Sequence, residues 1–561
     1  MMKKMILPLL SLWAAGIPAF AQAAPIERIY VSTDRDIYVA GDLVWCSLFC
    51  LTENGRISPF SAVAYLELIS DDGTAAEAKT GLLEGRGAGA FRIPASTPTG
   101  TYRLVAYTAQ NTNEDNAPWL PGSRLLTVFN TTSTVRVKGG ADILDAEAYE
   151  ALERPENAVC GDLQLSLPAR LKRGASTFLT LRNNGAAADF SLSVFHEDGL
   201  VPAAQENTLA AFLEALPGSA VPAVRTTRLP EYDGEIITAT LRGDFEPGDG
   251  DPSVATLSCA GSPSNLYIGR TVSDQVRFFT TNIYGDREIV CEVSRLDLKD
   301  GYIDFESPFI HPAAGTLPKL RLSPALQGDL EARKAALYAE KALRLDTLAS
   351  FLRHREDLLL ESSAFVRYHL DDYNRFPTTR EVLTEIIPAL RFKKDHGKWI
   401  LQMVVQDASD NRRFRVDNIL VMMDGVVLTD LQPLIDFDAM LLEDIDLYPQ
   451  AVTCGMIVFN GVVNFITKKN YVTALPFPSN VRVTDFKGVS WPVAYTGEAP
   501  RDEGSDLRQV LYWHPAVKLE GGTEQRISLH LPGYLGRFRI VAEGLAADGT
   551  PLRAETTFEV E

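Results

Sequence analysis

Hydrophobic and polar residues alternate along most of this chain, in short runs that turn residues separate. Alternation is clear at Ala62–Ile69, Tyr102–Tyr107 and Phe190–Phe195, and the turn segments Asp71–Gly73 and Pro98–Gly100 lie close to such runs. A period of two residues is typical of β-strands with one buried face. Short strands with turn signals about every 8 to 12 residues predict β-sandwiches.

The pattern changes to helical spacing in the second half of the chain. Apolar residues recur on one face between Leu326 and Leu352, which predicts an amphipathic helix. Thr378 and Glu381 match a capping box, which predicts the start of another helix. Apolar residues also have helical spacing between Leu431 and Leu442. The chain returns to alternation after Val483, so the fold class is mainly β and multidomain, with a helical segment.

The stretch 418–469 combines both patterns. Apolar runs meet at Asp424-Gly425 and again at Asn460-Gly461. Both dipeptides favour the tight turns of β-hairpins. With the helical spacing between them, they predict a small α/β module.

An acidic run lies between the two dipeptides. Alternation along a strand places Asp444 and Asp446 on one face and Glu443 on the other. The order of DG turn, acidic run and NGVVN strand resembles the plug domain of TonB-dependent outer-membrane receptors. About 90 residues follow this stretch, too few for a porin-like barrel, so we expect a plug-like module without a barrel. The resemblance implies a binding surface that contains Asp424, Gly425, Glu443, Asp444, Asn460 and Gly461.

The N-terminal strands carry a second resemblance. Asp34–Gly41, Gly87–Pro94 and Gly100–Leu104 resemble the D-x-Y-x-x-G entry and the G-x-F-x-IP…G-x-Y close of the second macroglobulin-like domain of the alpha-2-macroglobulin family. The resemblance implies a β-sandwich and no particular chemistry. The thioester signature of that family, GCGEQ, has no counterpart, because Gly521–Gln525 contains no cysteine. We therefore expect no thioester.

The patterns predict tandem β-sandwiches around the α/β module, and the resemblance implies that they are macroglobulin-like or immunoglobulin-like. The predicted domains are a signal peptide at 1–23, a macroglobulin-like β-sandwich at 24–137, one or two β-sandwiches at 138–300, a helical segment at 301–390, the plug-like α/β module at 391–475 and a C-terminal β-sandwich at 476–561.

Export is expected from the first residues. Met1–Ala23 has a basic start, an apolar stretch and small residues at a cleavage site, which together indicate a signal peptide. No later run of about 18 apolar residues predicts a transmembrane segment after cleavage. With the two resemblances, we expect the periplasm, the outer membrane or the cell surface of a Gram-negative bacterium. The net charge of -19 makes nucleic acid and anionic lipid poor partners.

Motifs for catalysis are not found. The six cysteines are too sparse for a disulfide scaffold and are interpreted mostly as buried free thiols. The seven histidines form no HExxH motif, and neither GxSxG nor a Walker glycine loop occurs. His369, which precedes two aspartates, is interpreted as part of a solvated helix end. We expect no catalytic, cofactor-binding or metal-ligating residues and no cofactor.

The resulting hypothesis is a non-catalytic scaffold or interaction protein of the cell envelope. Its expected partner is another envelope or outer-membrane protein, in connection with outer-membrane transport or surface assemblies, and the oligomeric state stays open. Two alternatives remain: a macroglobulin-like protease-binding protein without a thioester, and an uncharacterised hydrolase.

Overall fold

The N-terminal region folds as one eight-stranded sheet whose halves pack around a common apolar core, and we call it the N-terminal sandwich. The computed structural model describes residues 26–561 except 115–116, 134–136, 138–139, 153–158, 204–206, 217–227, 246–253, 262–264, 294–297, 343–349, 352–365, 407–411, 456, 471, 473–474, 479 and 498–505. Eight strands form this region: β1 (Glu27–Thr33), β2 (Ile37–Val39), β3 (Leu43–Thr52), β4 (Val63–Ser70), β5 (Gly73–Leu83), β6 (Arg86–Arg92), β7 (Gly100–Tyr107) and β8 (Arg124–Phe129). They pair in the order β1-β3-β6-β5-β4-β7-β8-β2.

The long strand β3 shows why this sheet is buried on both faces. Val44, Cys46 and Leu48 point into the core between the two halves of the sheet. The alternate residues Trp45 and Phe49 point outwards and pack against other parts of the chain. The sequence of β3 is therefore apolar almost throughout instead of alternating.

The next region supplies strands that find their partners far along the chain. Its elements are β9 (Ala141–Ile143), α1 (Ala146–Glu150), β10 (Leu163–Ser166), β11 (Arg170–Leu171), β12 (Ser176–Asn183), β13 (Ala188–Glu197) and α2 (Leu209–Ala215). Asp145 caps α1 and Thr208 caps α2, each through a side-chain oxygen that accepts a backbone N–H.

A strand-rich region and a helix follow. The strands are β14 (Ile236–Phe245), β15 (Val254–Cys259), β16 (Leu266–Val272), β17 (Gln275–Phe279), β18 (Asp286–Val293), β19 (Leu298–Phe305) and β20 (Leu320–Leu322). Helix α3 (Gln327–Ala342) comes next, followed by β21 (Ser350–Phe351). Strand β20 pairs with β9 in parallel.

The α/β module contains most of the remaining helical turns. Its elements are β22 (Val366–His369), α4 (Thr379–Glu385), β23 (Leu390–Asp395), β24 (Lys398–Gln406), β25 (Arg413–Val416), β26 (Leu420–Met423), β27 (Val426–Val427), α5 (Gln432–Ile435), β28 (Leu442–Tyr448), β29 (Val452–Cys454), β30 (Ile457–Phe459) and β31 (Val462–Thr467). One sheet has the order β22-β28-β31-β26-β27, and β23, β24 and β25 form a separate antiparallel meander. Both sheets share one apolar core with α4 and α5.

The last strands complete two sheets that begin much earlier. They are β32 (Val481–Lys487), β33 (Val493–Ala494), β34 (Val510–Leu519), β35 (Glu524–His530), β36 (Gly536–Ala546) and β37 (Pro551–Val560). Strand β32 is the edge of a seven-stranded sheet, β19-β14-β17-β16-β15-β18-β32. The sheets β10-β12-β35 and β11-β37-β36-β13-β34 face each other across a common core and form a sandwich, the shared sandwich.

The mainly β, multidomain fold class is confirmed, but the order of the sheets differs from the expected boundaries. The C-terminal sandwich expected at 476–561 is built jointly by β10–β13 and β34–β37. Likewise, β32 completes the sheet of β14–β19. Alternation shows that a strand is half-buried and does not show which strand pairs with it, so the sequence pattern missed this interleaving.

The helical expectations have mixed outcomes. The capping box at Thr378 and Glu381 is confirmed by both of its hydrogen bonds. Helix α3 ends at Ala342, and residues 343–349 of the predicted helix lie outside the described residues, as does the signal peptide at 1–23. In the segment 301–390 the described α-helices are α3 and α4, with the short strands β21 and β22 between them. Because β21 covers Ser350–Phe351, the predicted helix Leu326–Leu352 is wrong at its C-terminal end. No helix within the described ranges is long and apolar enough to cross a membrane.

The cysteines are free thiols, as expected. Five of the six are buried, and Cys160 is half-buried. Cys46 and Cys50 lie four residues apart on the same face of β3. Burial raises the pKa of both thiols well above the ordinary value, so they stay protonated and unreactive.

Candidate functional site

Asp424 and Gly425 form the hairpin turn that the sequence predicts. Their φ angles are 47° and 81°, and a type I′ turn requires positive φ at both central residues. Strand β26 pairs with β27 directly across this turn. Asp424 is 3% exposed. Its carboxylate accepts hydrogen bonds from the Thr467 amide at 2.7 Å, the Thr467 hydroxyl at 2.6 Å and the Val472 amide at 3.3 Å.

The same turn lies against the seven-stranded sheet. The Gly261 amide donates to the Asp424 carbonyl at 2.7 Å, and the Val427 amide donates to the Ser258 hydroxyl at 3.3 Å. The turn is therefore a contact between two parts of this chain. Both the carboxylate and the carbonyl of Asp424 accept hydrogen bonds from this chain, so Asp424 has a structural role.

The prediction of a second hairpin at Asn460-Gly461 is wrong. Strand β30 before this dipeptide pairs with β29, whereas β31 after it pairs with β26 in parallel and with β28. The dipeptide thus connects two sheets. The Asn460 amide donates to the Asn418 carbonyl at 2.9 Å. The apolar runs on both sides gave the hairpin signal, but the central position of β31 between two other strands outweighs it.

The six predicted site residues do not meet at one place. Asp424, Gly425, Glu443 and Asp444 lie near the C-terminal end of β31, since Leu442 pairs with Thr467. Gly461 directly precedes the N-terminal end of β31, a strand of six residues that spans roughly 20 Å. A binding role for the six residues stays a prediction.

The acidic strand β28 alternates as predicted. Glu443 is exposed, while Asp444 and Asp446 are buried on the other face. Nδ1 of His369 lies 2.7 Å from an Asp444 oxygen, and this hydrogen bond raises the pKa of the imidazole. Arg367 forms two hydrogen bonds of 2.7 Å to Asp446. His369 is thus paired across the edge of the sheet, which the sequence interpretation as a solvated helix end did not foresee.

The outer face of the β23–β25 meander is basic, and we call it the basic face. Inward residues such as Leu401 and Met403 belong to the module core. The outward set follows from the strand register, in which Arg391 pairs with Gln402, and Val404 with Arg415. Its exposed cations are Arg391, Lys393, Lys398, Arg413 and Arg415.

The basic face stands out against the charge of the whole molecule. The chain has a net charge of -19, yet residues 390–416 contain seven basic and three acidic residues. Within the described part of the chain, these five cations form no ion pair with a carboxylate. Phe414, between Arg413 and Arg415, pairs with the core residue Val405 and therefore lies on the other face of the meander, where it is 48% exposed. The sequence signal for the basic face is the spacing of cations two residues apart in β23 and β25. The negative net charge of the whole chain conceals it.

A large cleft opens where the N-terminal sandwich, the seven-stranded sheet and the shared sandwich meet. Its volume is about 1110 Å³, and its walls include Phe49, Leu83, Tyr232, Tyr284 and Lys518. Leu83 and Tyr232 are 73% and 53% exposed. The cleft has both apolar and charged walls and has room for a peptide segment.

Among the residues that the structure describes, one group could hold a metal ion, although the sequence predicts no metal ligands. The ligand atoms of Glu67, Glu77 and His311 lie within 4.8 Å of one another. The three residues are far apart in the sequence, and no local spacing announces them. Only the fold brings the histidine to the two glutamates.

Comparison with known proteins identifies one domain. Residues 28–119 match the MG2 domain. This range covers most of the eight-stranded sandwich and contains the Asp34–Gly41 and Gly100–Leu104 motifs. The N-terminal region is therefore a macroglobulin-type domain, as its resemblance implies. No curated protein matches the chain.

Several solved structures are similar at low identity. Alpha-2-macroglobulin from Salmonella, reacted with methylamine, is similar over 95% of this chain and 39% of that chain, with 10% identity and a TM-score of 0.24. The native form from E. coli is similar over 96% and 40%, with 10% identity and a TM-score of 0.24. Dimeric latent PorU from Porphyromonas gingivalis is similar over 53% and 34%, with 10% identity and a TM-score of 0.16. This chain spans about two fifths of the length of those macroglobulins.

Proposed function

We propose that this chain is an exported, non-catalytic protein that binds an acidic protein partner of the cell envelope through the basic face. The single observation that carries the proposal is five exposed cations on one face of a meander in a molecule of net charge -19. Export rests on the signal-peptide features of the first 23 residues.

Charge complementarity favours an acidic protein as the occupant. Opposite surface potentials accelerate encounter and select partners. Arginine is enriched at protein interfaces, and β25 contributes Arg413 and Arg415 to the basic face. The acidic remainder of the chain repels nucleic acid and anionic membranes, which leaves the face best suited to a protein with clustered carboxylates.

The sandwiches would then serve as a rigid support. The meander shares its core with the rest of the module, and the module is joined to the seven-stranded sheet through the Asp424 turn. A face built on packed strands keeps its cations in fixed positions, which lowers the entropy cost of binding. The plug-like character of the module, and any link to outer-membrane transport, belong to this proposal.

Site-specific crosslinking in envelope fractions tests the proposal. A photo-crosslinking residue at Val404, on the basic face, is expected to capture an acidic protein. The triple variant R391E/K393E/R415E is expected to abolish that crosslink, because it reverses the charge of the face while leaving the core residues in place.

The matched controls use the shared sandwich. A crosslinker at Phe178, a strand residue that is 59% exposed, is not expected to capture the protein that the crosslinker at Val404 captures. The variant K172E/R173E/R182E reverses three exposed cations there and is expected to leave the Val404 crosslink intact. A crosslink that survives reversal of the basic face would overturn the proposal.

The MG2 domain favours a second candidate function, protease binding of macroglobulin character. This candidate predicts cleavage at one segment and a stable complex when the protein is incubated with trypsin or elastase. No thioester bond would form in such a complex, because Gly521–Gln525 contains no cysteine. Gly521 and Gly522 lie in the turn before β35, and Glu524 and Gln525 begin that strand. Complete digestion, or full resistance without complex formation, would count against it.

A further inference from the structure

Glu67, Glu77 and His311 meet on the N-terminal sandwich, away from the basic face. Glu67 on β4 and Glu77 on β5 lie directly opposite each other in the antiparallel register. Two carboxylates in this position repel each other and destabilise a sheet unless a cation lies between them. Glu67 is fully buried, which strengthens the need for a counter-charge.

His311 faces both carboxylates. Its Nδ1 lies 3.2 Å from an Oε atom of Glu67 and 3.5 Å from an Oε atom of Glu77. A charge-assisted N–H···O bond is about 2.7–2.9 Å long, as His369 and Asp444 show at 2.7 Å in this same chain. Around a tetrahedral Zn²⁺ with bonds of about 2.1 Å, the ligand atoms lie roughly 3.4 Å apart. The Thr74 hydroxyl also lies 3.3 Å from Nδ1. The distances from Nδ1 to the two carboxylates match ligands that share an ion.

Glu67 is held in place by neighbours that saturate one of its oxygens. Oε1 accepts hydrogen bonds from the Tyr107 hydroxyl at 2.5 Å and from the amides of Ile310 and His311 at 3.1 Å each. Oε2 faces His311 and accepts one bond, from the Thr74 hydroxyl at 2.8 Å. Such outer partners orient a carboxylate ligand and leave its second oxygen for a metal.

The segment that carries His311 is fixed to the sandwich on both sides. Phe309 packs edge-on against Tyr65, with ring centroids 5.8 Å apart. Arg103 donates to the Ala314 carbonyl at 2.7 Å. His311 itself has a φ of 47°, the left-handed region that a non-glycine residue rarely adopts. This backbone turns the imidazole towards the two carboxylates.

We propose that Glu67, Glu77 and His311 bind one Zn²⁺ ion, with water completing the coordination. An imidazole with two carboxylates suits Zn²⁺, whereas Ca²⁺ and Mg²⁺ prefer all-oxygen sites. His311 is 55% exposed and Glu77 is partly exposed, so an ion can enter and Glu77 can adjust. The bound ion would fasten the connection between β19 and β20 onto the MG2 domain, a structural role that does not depend on the basic face.

Zinc titration of the untagged full-length protein tests the site. Calorimetry is expected to show one Zn²⁺ per chain, and thermal unfolding is expected to shift upwards with Zn²⁺, since an ion that binds the folded state stabilises it. His311→Gly and Glu77→Gln are each expected to weaken Zn²⁺ binding at least about 10-fold, because loss of an outer partner that orients a ligand already has an effect of that size. His311→Gly suits the φ of 47°, so the fold is preserved.

His396→Ala is the matched control, because His396 is an exposed histidine 3.3 Å from one carboxylate, Asp395, on a different sheet. It is expected to bind Zn²⁺ as the wild type does. The proposal is overturned if the wild type binds no Zn²⁺, if the His311 and Glu77 variants bind as well as the wild type, or if Ca²⁺ and Mg²⁺ bind equally well. It is also overturned if the thermal shift persists in both variants.

Discussion

Glu231 is a buried acid in the contact between the MG2 domain and the seven-stranded sheet. It is 4% exposed, and the Tyr65 hydroxyl lies 2.8 and 3.0 Å from its two oxygens. Burial raises the pKa of Glu231 to about 7, and the nearby carboxylate of Glu235 adds to the effect, against hydrogen bonds from Ile236 and Tyr65. The neighbouring Glu235 is paired with Lys79 at 2.7 Å.

The raised pKa of Glu231 makes stability depend on pH. The folded chain retains a proton that the unfolded chain, with an ordinary pKa of 4.5, releases. Stability is therefore highest below about pH 4.5 for this group and falls until about pH 7, by up to about 3 kcal/mol. Glutamine does not titrate, so Glu231→Gln removes this loss. We therefore expect the free energy of unfolding of the variant, relative to the wild type, to be higher at pH 8 than at pH 5.

Urea unfolding at pH 5, 6, 7 and 8 measures the difference between the variant and the wild type. Asp34 and Glu340, with pKa values raised by burial to about 6 and about 7, act in the same window in both proteins. Only the difference isolates Glu231. The exposed control Glu53→Gln is expected to change stability by less than about 0.5 kcal/mol. A difference for Glu231→Gln that does not vary with pH would contradict the prediction.

The hairpin of β26 and β27 depends on contacts that its own sequence does not contain. Asp424 joins its turn to Thr467 at the end of β31 and to Val472 beyond it. Asp424→Ala leaves these buried donors without an acceptor and keeps a positive φ that alanine tolerates poorly. We expect a loss of about 3 kcal/mol in the free energy of unfolding, measured by urea denaturation.

Two variants accompany that measurement. Asp424→Asn keeps an acceptor and a residue that tolerates positive φ, so we expect a smaller loss than for alanine. Glu443→Gln alters an exposed residue of the same module and is expected to stay within about 0.5 kcal/mol of the wild type. If Asp424→Ala is as stable as Glu443→Gln, the turn does not hold the module as described.

The elements that the sequence predicts well are those whose signal is local. The capping box of α4 and the Asp-Gly turn depend on residues within four positions of one another, and both are present. Asn460-Gly461 has the same local signal, yet β31 lies between β26 and β28 and has no pairing left for a hairpin partner. The basic face has a local signal, cations two residues apart in β23 and β25, but only the pairing of the strands shows that they share one face. The Glu67–His311 contact joins distant chain segments, so no local pattern specifies it.

At the scale of the whole molecule, strands that are neighbours in a sheet are often far apart in the sequence. Strand β13 is paired along its whole length with β36 and also with β34, both more than 300 residues away. The sequence predicts each strand by its alternation but not its partner, because pairing depends on complementary buried faces. The regions between β13 and β34 are thus inserted into the shared sandwich, which β10–β13 begin and β34–β37 complete.

This topology predicts that β10–β13 and β34–β37 need each other to fold. We expect fragments 26–497 and 506–561, produced together as separate chains with different tags, to purify as one complex. Alone, fragment 26–497 would expose Phe190, Leu192 and Val194, which are fully buried in the intact core. It is then expected to bind a hydrophobic dye or aggregate, since an uncovered apolar sheet face of this size is unstable in water.

Phe190→Asp in the larger fragment provides the control. Phe190 lies in the centre of the shared core at 0% exposure, and an unpaired charge there opposes assembly. We expect the larger fragment with Phe190→Asp not to copurify with the smaller fragment. With Lys172→Ala, a change at an exposed residue of the same sandwich, the two fragments are expected to copurify. If fragments 26–497 and 506–561 each fold without the other, with sharp unfolding transitions and no association, β10–β13 and β34–β37 do not form one unit.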